Sequence, residues 1–217
     1  MKIRSLTELE DAIDADLASR KRSLTSLKFV LENARNHEKD VIGHGAICLL
    51  YAHWEGFVKH AGMCFTNYVS RLGLTYQQLS NGMVATCLRS QLKGLRTTKK
   101  ISLNRDVVEL LRDRTSEKPI IPWQSAIDTY DNLNSEVLFE ILAIVGCDTT
   151  PYQTRIAFID EKLLRHRNQI AHNGHPQGFD IAEFPIIYSG VLALLEQVRD
   201  DIQNAAFQRQ YEKPNVA

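Results

Sequence analysis

Closely spaced cysteines are missing from this sequence: Cys48, Cys64, Cys87 and Cys147 lie far apart and form no C-x-x-C pair. Four reduced thiols are therefore expected, the state that thiols keep in a cytoplasm. The opening Met1-Lys-Ile-Arg4 lacks the apolar run of a secretory signal. No uninterrupted apolar stretch approaches the roughly 20 residues that cross a bilayer, so no membrane-spanning segment is expected. An excess of either charge is lacking as well. The 26 Lys and Arg balance 26 Asp and Glu, and the sequence pI is about 7.1. The chain as a whole is not drawn to polyanions, and any affinity for nucleic acid must come from local patches. Absent too are a G-x-x-x-x-G-K-[ST] loop, a dinucleotide-binding glycine fingerprint and an H-E-x-x-H pair. Classical nucleotide hydrolysis and metalloprotease chemistry are excluded on that ground. His166, His172 and His175 cluster in sequence, but no cysteine or carboxylate stands near them at an established ligand spacing, so neither metal nor cofactor is expected.

What the sequence does have is helical periodicity. Its 217 residues, 44% hydrophobic and 24% charged, suit one large domain with a substantial core. The expected fold is all-α: a single-domain antiparallel helical bundle over residues 1–217, with additional helices. Ser5 and Glu8 have capping-box spacing, and a long helix within residues 1–39 carries Leu6, Ile13 and Leu27 in one seven-residue row and Leu17, Leu24 and Leu31 in another. Arg20-Lys-Arg22 interrupts that seam, as a solvated face or as a phosphate contact. A second long helix is expected from Asp40 to Leu72, buried through Ile42, Leu49, Leu50, Phe57, Ala61, Cys64, Phe65 and Leu72, with Gly73 as its stop. Trp54 reads as core packing, and His44, His53 and His60 as packing or surface residues. Glu55, amid apolar neighbours, needs a partner. Lys59, four residues on, is one candidate, and Arg167 is the other.

Two shorter helices are expected between Thr75 and Arg114. Across them Arg89, Lys93, Arg96 and Lys100 share one face if the helix persists, with no acid from Leu88 to Lys100. Such a stripe suits an RNA backbone, because phosphate binding is driven by counterion release, and it equally suits an exposed helix in water. Residues 117–130, with Pro119 and Pro122, read as a loop over the bundle. Asn134 or Ser135 can cap a compact apolar helix that Gly146 ends. Asp180 and Glu183 offer a second capping box, and Pro185 places the regular helix nearer Phe184. That helix buries Ile187, Val191, Leu194, Leu195, Val198 and Ile202. Residues 208–217, polar and without period, are expected to fray.

The chain is organised around Glu161-Lys-Leu-Leu-Arg-His-Arg-Asn-Gln-Ile-Ala-His172, followed by Asn173-Gly174. Ile156, Ile159, Leu163 and Ile170 have the spacing of a buried helix face, yet Arg167 falls inside that stripe. Its charge cannot be removed by deprotonation, so it requires a partner or a polar cleft, and a second subunit could supply one. Asn173-Gly174 is a helix stop, and the unpaired carbonyls at that end favour an imidazolium at His172.

An Arg followed by a polar residue, with four residues between it and a His, resembles the signature of the HEPN superfamily, the "higher eukaryotes and prokaryotes nucleotide-binding" domains. Tyr51-Ala-His-Trp-Glu-Gly-Phe-Val-Lys59, Asn132-Leu-Asn-Ser-Glu-Val-Leu138, Leu195-Glu-Gln-Val-Arg199 and Asn204-Ala-Ala206 are similar to a bacterial branch of HEPN-like nucleases, which extends the resemblance over residues 40–211. The resemblance implies a metal-independent endoribonuclease in which a ribose 2′-hydroxyl attacks the adjacent phosphate and leaves a 2′,3′-cyclic phosphate. Arg167 would stabilise phosphoryl charge, His172 would move a proton, Asn168 would orient phosphate or histidine, and Glu55 would fix the Arg167 guanidinium. It further implies a homodimer that pairs two motif helices, an RNA substrate, and a toxin or antiphage defence role with an antitoxin or other partner protein. Two alternatives stand beside it: a noncatalytic module that binds RNA or protein through the same groove, and a structural dimerisation bundle.

Overall fold

The computed structural model describes residues 2–97, 101–174 and 180–214. Among them the chain is helical, with no β-strand. Helix α1, Leu6–Glu32, starts on Ser5, whose Oγ accepts the Glu8 amide at 3.1 Å. The Glu8 carboxylate accepts from the Arg4 amide at 2.6 Å instead of from Ser5, so the box closes one residue early. Its apolar rows face inward as their spacing requires: Leu9, Ile13, Leu17, Leu24 and Leu31 are buried.

Helix α2, Asn36–Arg71, is the axis of the molecule. Its 36 residues extend roughly 54 Å at the rise of an α-helix. It begins four residues before the expected Asp40. Glu38 explains the early start, accepting the Arg35 amide at 3.0 Å and so satisfying one of the end's unpaired donors. Trp54, Phe57 and Phe65 are fully buried, but Leu49, expected inside, is 48% exposed. Ala46, Ile47 and Leu50 define the inward face there, and at 100° per residue Leu49 falls off it.

Register fixes the directions. The Ile3 amide donates to Asn67 Oδ1 at 2.9 Å, Arg20 Nη1 donates to the His53 carbonyl at 3.2 Å, and Leu31 lies beside Gly43, so α1 and α2 run antiparallel. Helix α7, Phe184–Phe207, pairs Glu196 with Lys21, and Gln203 Nε2 donates to Asp14 Oδ1 at 3.1 Å. It is therefore antiparallel to α1 and parallel to α2. The segment Ile181–Phe207 is long and apolar enough by composition to cross a membrane, and in this fold Ile187, Val191, Leu194, Leu195, Val198 and Ile202 turn into the shared core. Asp180 caps its entry by accepting the Ala182 amide at 2.9 Å, and a 3-10 turn, Ile181–Glu183, leads into α7 at Phe184.

Helices α3, Asn81–Thr97, and α4, Ile101–Asp113, follow in the expected interval. A helix-free segment with Pro119 and Pro122 then leads to α5, Ser135–Val145, capped by Asn134 and stopped by Gly146 at φ 90°. After a 3-10 turn, Thr150–Arg155, the expected single motif helix is composite. Phe158–Leu164 is a π-helix, in which the Arg165 amide reaches back five residues to the Asp160 carbonyl, and α6, Arg165–Asn173, completes it. Residues 208–214 do not fray. Tyr211 is buried and meets Phe65 and Tyr68 edge-on at ring separations of 6.1 and 6.0 Å. The Ser80 amide donates to the Tyr211 carbonyl and the Lys213 amide to the Gln78 carbonyl, each at 2.8 Å. One aromatic anchor and a short run of backbone bonds order this tail without helical periodicity.

Candidate active site

Because a π turn takes up more residues than an α turn, it shifts the phase of everything after it. Ile159, Leu163 and Leu164 are buried in the π segment, and in α6 the inward position passes to His166. Burial, the dominant effect, lowers the His166 pKa below the usual imidazole value. Arg167 is rotated out of the apolar stripe and onto α2. Its Cζ stands 4.0 Å from the Tyr51 ring centroid, a cation–π contact. Its Nη2 donates to the Asp131 carbonyl at 3.1 Å and to Asn132 Oδ1 at 3.2 Å. The same nitrogen is 4.0 Å from Glu55 Oε2, with the two side chains 20% and 17% exposed. At that separation the attraction is Coulombic, without a short hydrogen bond. Among the described residues Glu55 forms no ion pair with Lys59, so of its two expected partners it meets Arg167.

Arg167, Tyr51, Glu55 and Asp131 line an open cleft of about 480 Å³ with Cys48, Ala52, Lys59, Thr129 and Ala171. Burial pushes the Tyr51 hydroxyl up to about 12, with Glu55 adding to the rise and Arg167 opposing it. Burial raises the Cys48 thiol as well, against the pull of Arg167. Burial thus favours the neutral form of both groups. The backbone that receives Arg167 is unusual: Tyr130 and Asp131 have φ of 51° and 55°, a left-handed pair without glycine. Such backbone costs about 1–3 kcal/mol per residue and persists where surrounding contacts hold it. Here the Tyr130 amide donates to Asp128 Oδ1 at 2.9 Å on one side, and Arg167 takes the Asp131 carbonyl on the other.

Asn168 joins this cluster through a bond from Nδ2 to Asn132 Oδ1 at 3.4 Å. His172 does not. It is exposed in the last turn of α6, before Gly174 closes the helix at φ 78° with its amide on the Ile170 carbonyl. Five residues along an α-helix is about 140° of rotation, so Arg167 and His172 leave one helix in different directions. Arg89 and Lys93 are exposed on α3 and do not line this cleft, and Arg89 Nη1 donates to the Ala126 carbonyl at 3.3 Å. The Arg96 side chain, Lys100 and His175 lie outside the described residues. Among the described residues no three His, Cys, Asp or Glu side chains gather as metal ligands do.

Sequence reasoning overlooked Tyr51, Asp131 and the side chain of Asn132. Tyr51 and Glu55 stand four apart on α2 and so share a face, which is a readable signal. The Asp131 contribution is a backbone carbonyl and leaves no mark in side-chain pattern.

The family model described as HEPN_MAE_28990-like HEPN matches residues 9–211 of this chain. The chain belongs to the HEPN family. Among the described residues the match covers helices α1 to α7, apart from the first three residues of α1, and it suggests a HEPN-type nuclease or nucleotide-binding module. No curated protein and no solved structure matches it significantly.

Proposed function

We propose that this HEPN protein is a metal-independent endoribonuclease. The observation that carries the reading is the setting of Arg167, a permanently charged guanidinium laid on Tyr51 and held by Asp131, Asn132 and Glu55 at the wall of an open cleft. An arginine fixed in this way resists reorganisation when charge builds on a nearby phosphoryl oxygen, the condition under which electrostatic stabilisation is most effective. In the reaction the 2′-oxygen bonds to phosphorus, the P–O5′ bond breaks, and the products are a 2′,3′-cyclic phosphate and a 5′-hydroxyl. One proton leaves the 2′-hydroxyl and one reaches the departing 5′-oxygen. His172, exposed at the end of α6, is assigned one of these transfers, and Asn168 helps to orient the phosphate.

The divergence of Arg167 and His172 on α6 argues for a homodimer. Two motif helices paired across a two-fold axis would bring the histidine of one protomer toward the arginine of the other, which a single protomer does not achieve. A role as a toxin or defence effector restrained by a partner protein belongs to the same proposal. The same divergence favours one rival: a noncatalytic module in which Arg167 binds phosphate and His172 has no chemical part.

Incubation of the purified protein with mixed RNAs in the presence of a chelator separates them. Nuclease function requires fragments ending in 2′,3′-cyclic phosphate and 5′-hydroxyl, lost in Arg167→Ala. RNA retained intact, yet bound in a manner sensitive to Arg167→Ala, would replace the nuclease with the binding module.

A further inference from the structure

The left-handed pair at Tyr130 and Asp131 faces two ways. Asp131 belongs to the Arg167 cleft, while Tyr130, 65% exposed, borders a second hollow of about 700 Å³ that also contains Arg89 and Lys93. Adjacent Cα atoms are about 3.8 Å apart, so one peptide unit forms part of the border of both hollows. The second hollow offers cations along α3, and Tyr130 as an exposed aromatic ring beside Ile120 and Pro122 on its border. Its acid, Asp128, already accepts the Tyr130 amide at 2.9 Å. The same two cations also border a hollow of about 450 Å³ that contains Glu140, whose carboxylate has no such backbone bond among the described residues. Phosphate is therefore better received on the Tyr130 side.

We infer that Tyr130 is a stacking platform for one base of single-stranded RNA, with Arg89 and Lys93 receiving the backbone phosphates that flank it. The inference rests on the nuclease reading, for which it supplies the substrate class and the path of the strand away from Arg167. An aromatic ring stacks on any unpaired base, whereas a base inside a duplex already has both faces covered. One Arg89 donor is used on the Ala126 carbonyl, which fixes the side chain along the loop, and a guanidinium has five. Tyr130 need not sit in a strained conformation for stability alone, since glycine would adopt its φ at no steric cost.

The test uses the full chain and a labelled single-stranded RNA of mixed sequence with 2′-O-methyl groups, which lacks the attacking hydroxyl and stays intact. Tyr130→Ala is expected to weaken its binding about 5- to 150-fold, the range that one base stack contributes. Tyr130→Phe should bind as the parent does. Tyr130→Gly, which relieves the positive φ while deleting the ring, should match Tyr130→Ala and guards against a folding artefact. Arg89→Gln with Lys93→Gln should make the salt dependence shallower by about 0.7 in logarithmic slope for each phosphate that is no longer neutralised. The duplex of the same sequence should bind more weakly and ignore Tyr130. Parent-like affinity in both Tyr130→Ala and Tyr130→Gly would overturn the inference, as would a duplex that binds equally well through Tyr130.

Cleavage of unmodified RNA is read separately. Cleavage by the parent together with parent-like binding in the Tyr130 variants removes the platform and keeps the nuclease. Loss of binding in those variants with no cleavage by the parent keeps the platform and removes the nuclease.

Discussion

Arg167 and His172 differ in what their removal costs. Arg167→Ala deletes the contact with Tyr51 and two hydrogen bonds, and it leaves Glu55 nearly buried without its cationic neighbour. A loss of about 1–3 kcal/mol in stability is expected from an arginine in that position. His172 is exposed at a helix end, and His172→Ala should change stability by no more than about 0.5 kcal/mol. Both substitutions should lower RNA cleavage by about 100-fold or more, and the double variant should lose little beyond either single one if the two groups serve one transition state. Denaturant titration and single-turnover cleavage, measured side by side, decide this. A His172→Ala protein within a few fold of the parent would remove that histidine from proton transfer. That Arg167 needs a partner was readable in the sequence, because a charge in an apolar stripe demands one, but the sequence left Glu55 between Lys59 and Arg167. The identity of the cushion beneath Arg167 was not readable, since Tyr51 meets Arg167 only when α2 and α6 pack.

At the scale of elements, the join between the π segment and α5 positions the site. Asp160, in the π-helix, accepts the Ser135 amide at 2.8 Å and the Ser135 hydroxyl at 2.6 Å. Three residues earlier, Asn132 Oδ1 takes Arg167 and Asn168. The short stretch from Asp131 to Ser135 is thus tied to the motif helix at both ends. Asp160→Ala should destabilise the protein by about 1–3 kcal/mol through the donors left unmatched at the start of α5, and should lower cleavage although Asp160 lies outside the cleft. Urea unfolding and turnover with the same RNA check it, and parent-like values in both would show that the tie is dispensable. Periodicity made α1, α2, α5 and α7 legible because each keeps 3.6 residues per turn along its buried face. It failed at 158–164, where Ile159 and Leu163 still have helical spacing while the backbone has widened. It failed again at Tyr211, since a single aromatic in a polar tail has no period to detect.

At the scale of the molecule, the proposed chemistry needs two chains. Light scattering at micromolar concentration should give the mass of a homodimer, and a monomer that stays monomeric with RNA present would remove the shared cleft. The all-α bundle and its order were legible because the core faces of α2 and α7 are long, continuous and apolar. The pairing of two copies has no such signal in either face, and its argument comes from an arginine and a histidine that diverge on α6.

Buried phenols give the bundle an optical signature of its own. Burial pushes Tyr51 and Tyr211 up to about 12, and it raises Tyr152, whose hydroxyl donates to Asp201 Oδ2 at 2.7 Å. Each contributes stability that is complete below about 10, where an unfolded tyrosine ionises, and that drains away as the pH climbs toward the folded value. Tyr51 sits beneath the guanidinium, Tyr152 against α7 and Tyr211 beside Phe65, so three separate regions are weakened in the same direction by alkali. Spectrophotometric titration should show these phenolates appearing late and together with loss of helicity. Ionisation of Tyr51, Tyr152 and Tyr211 near 10 with the helices still intact would mean that those rings are wet.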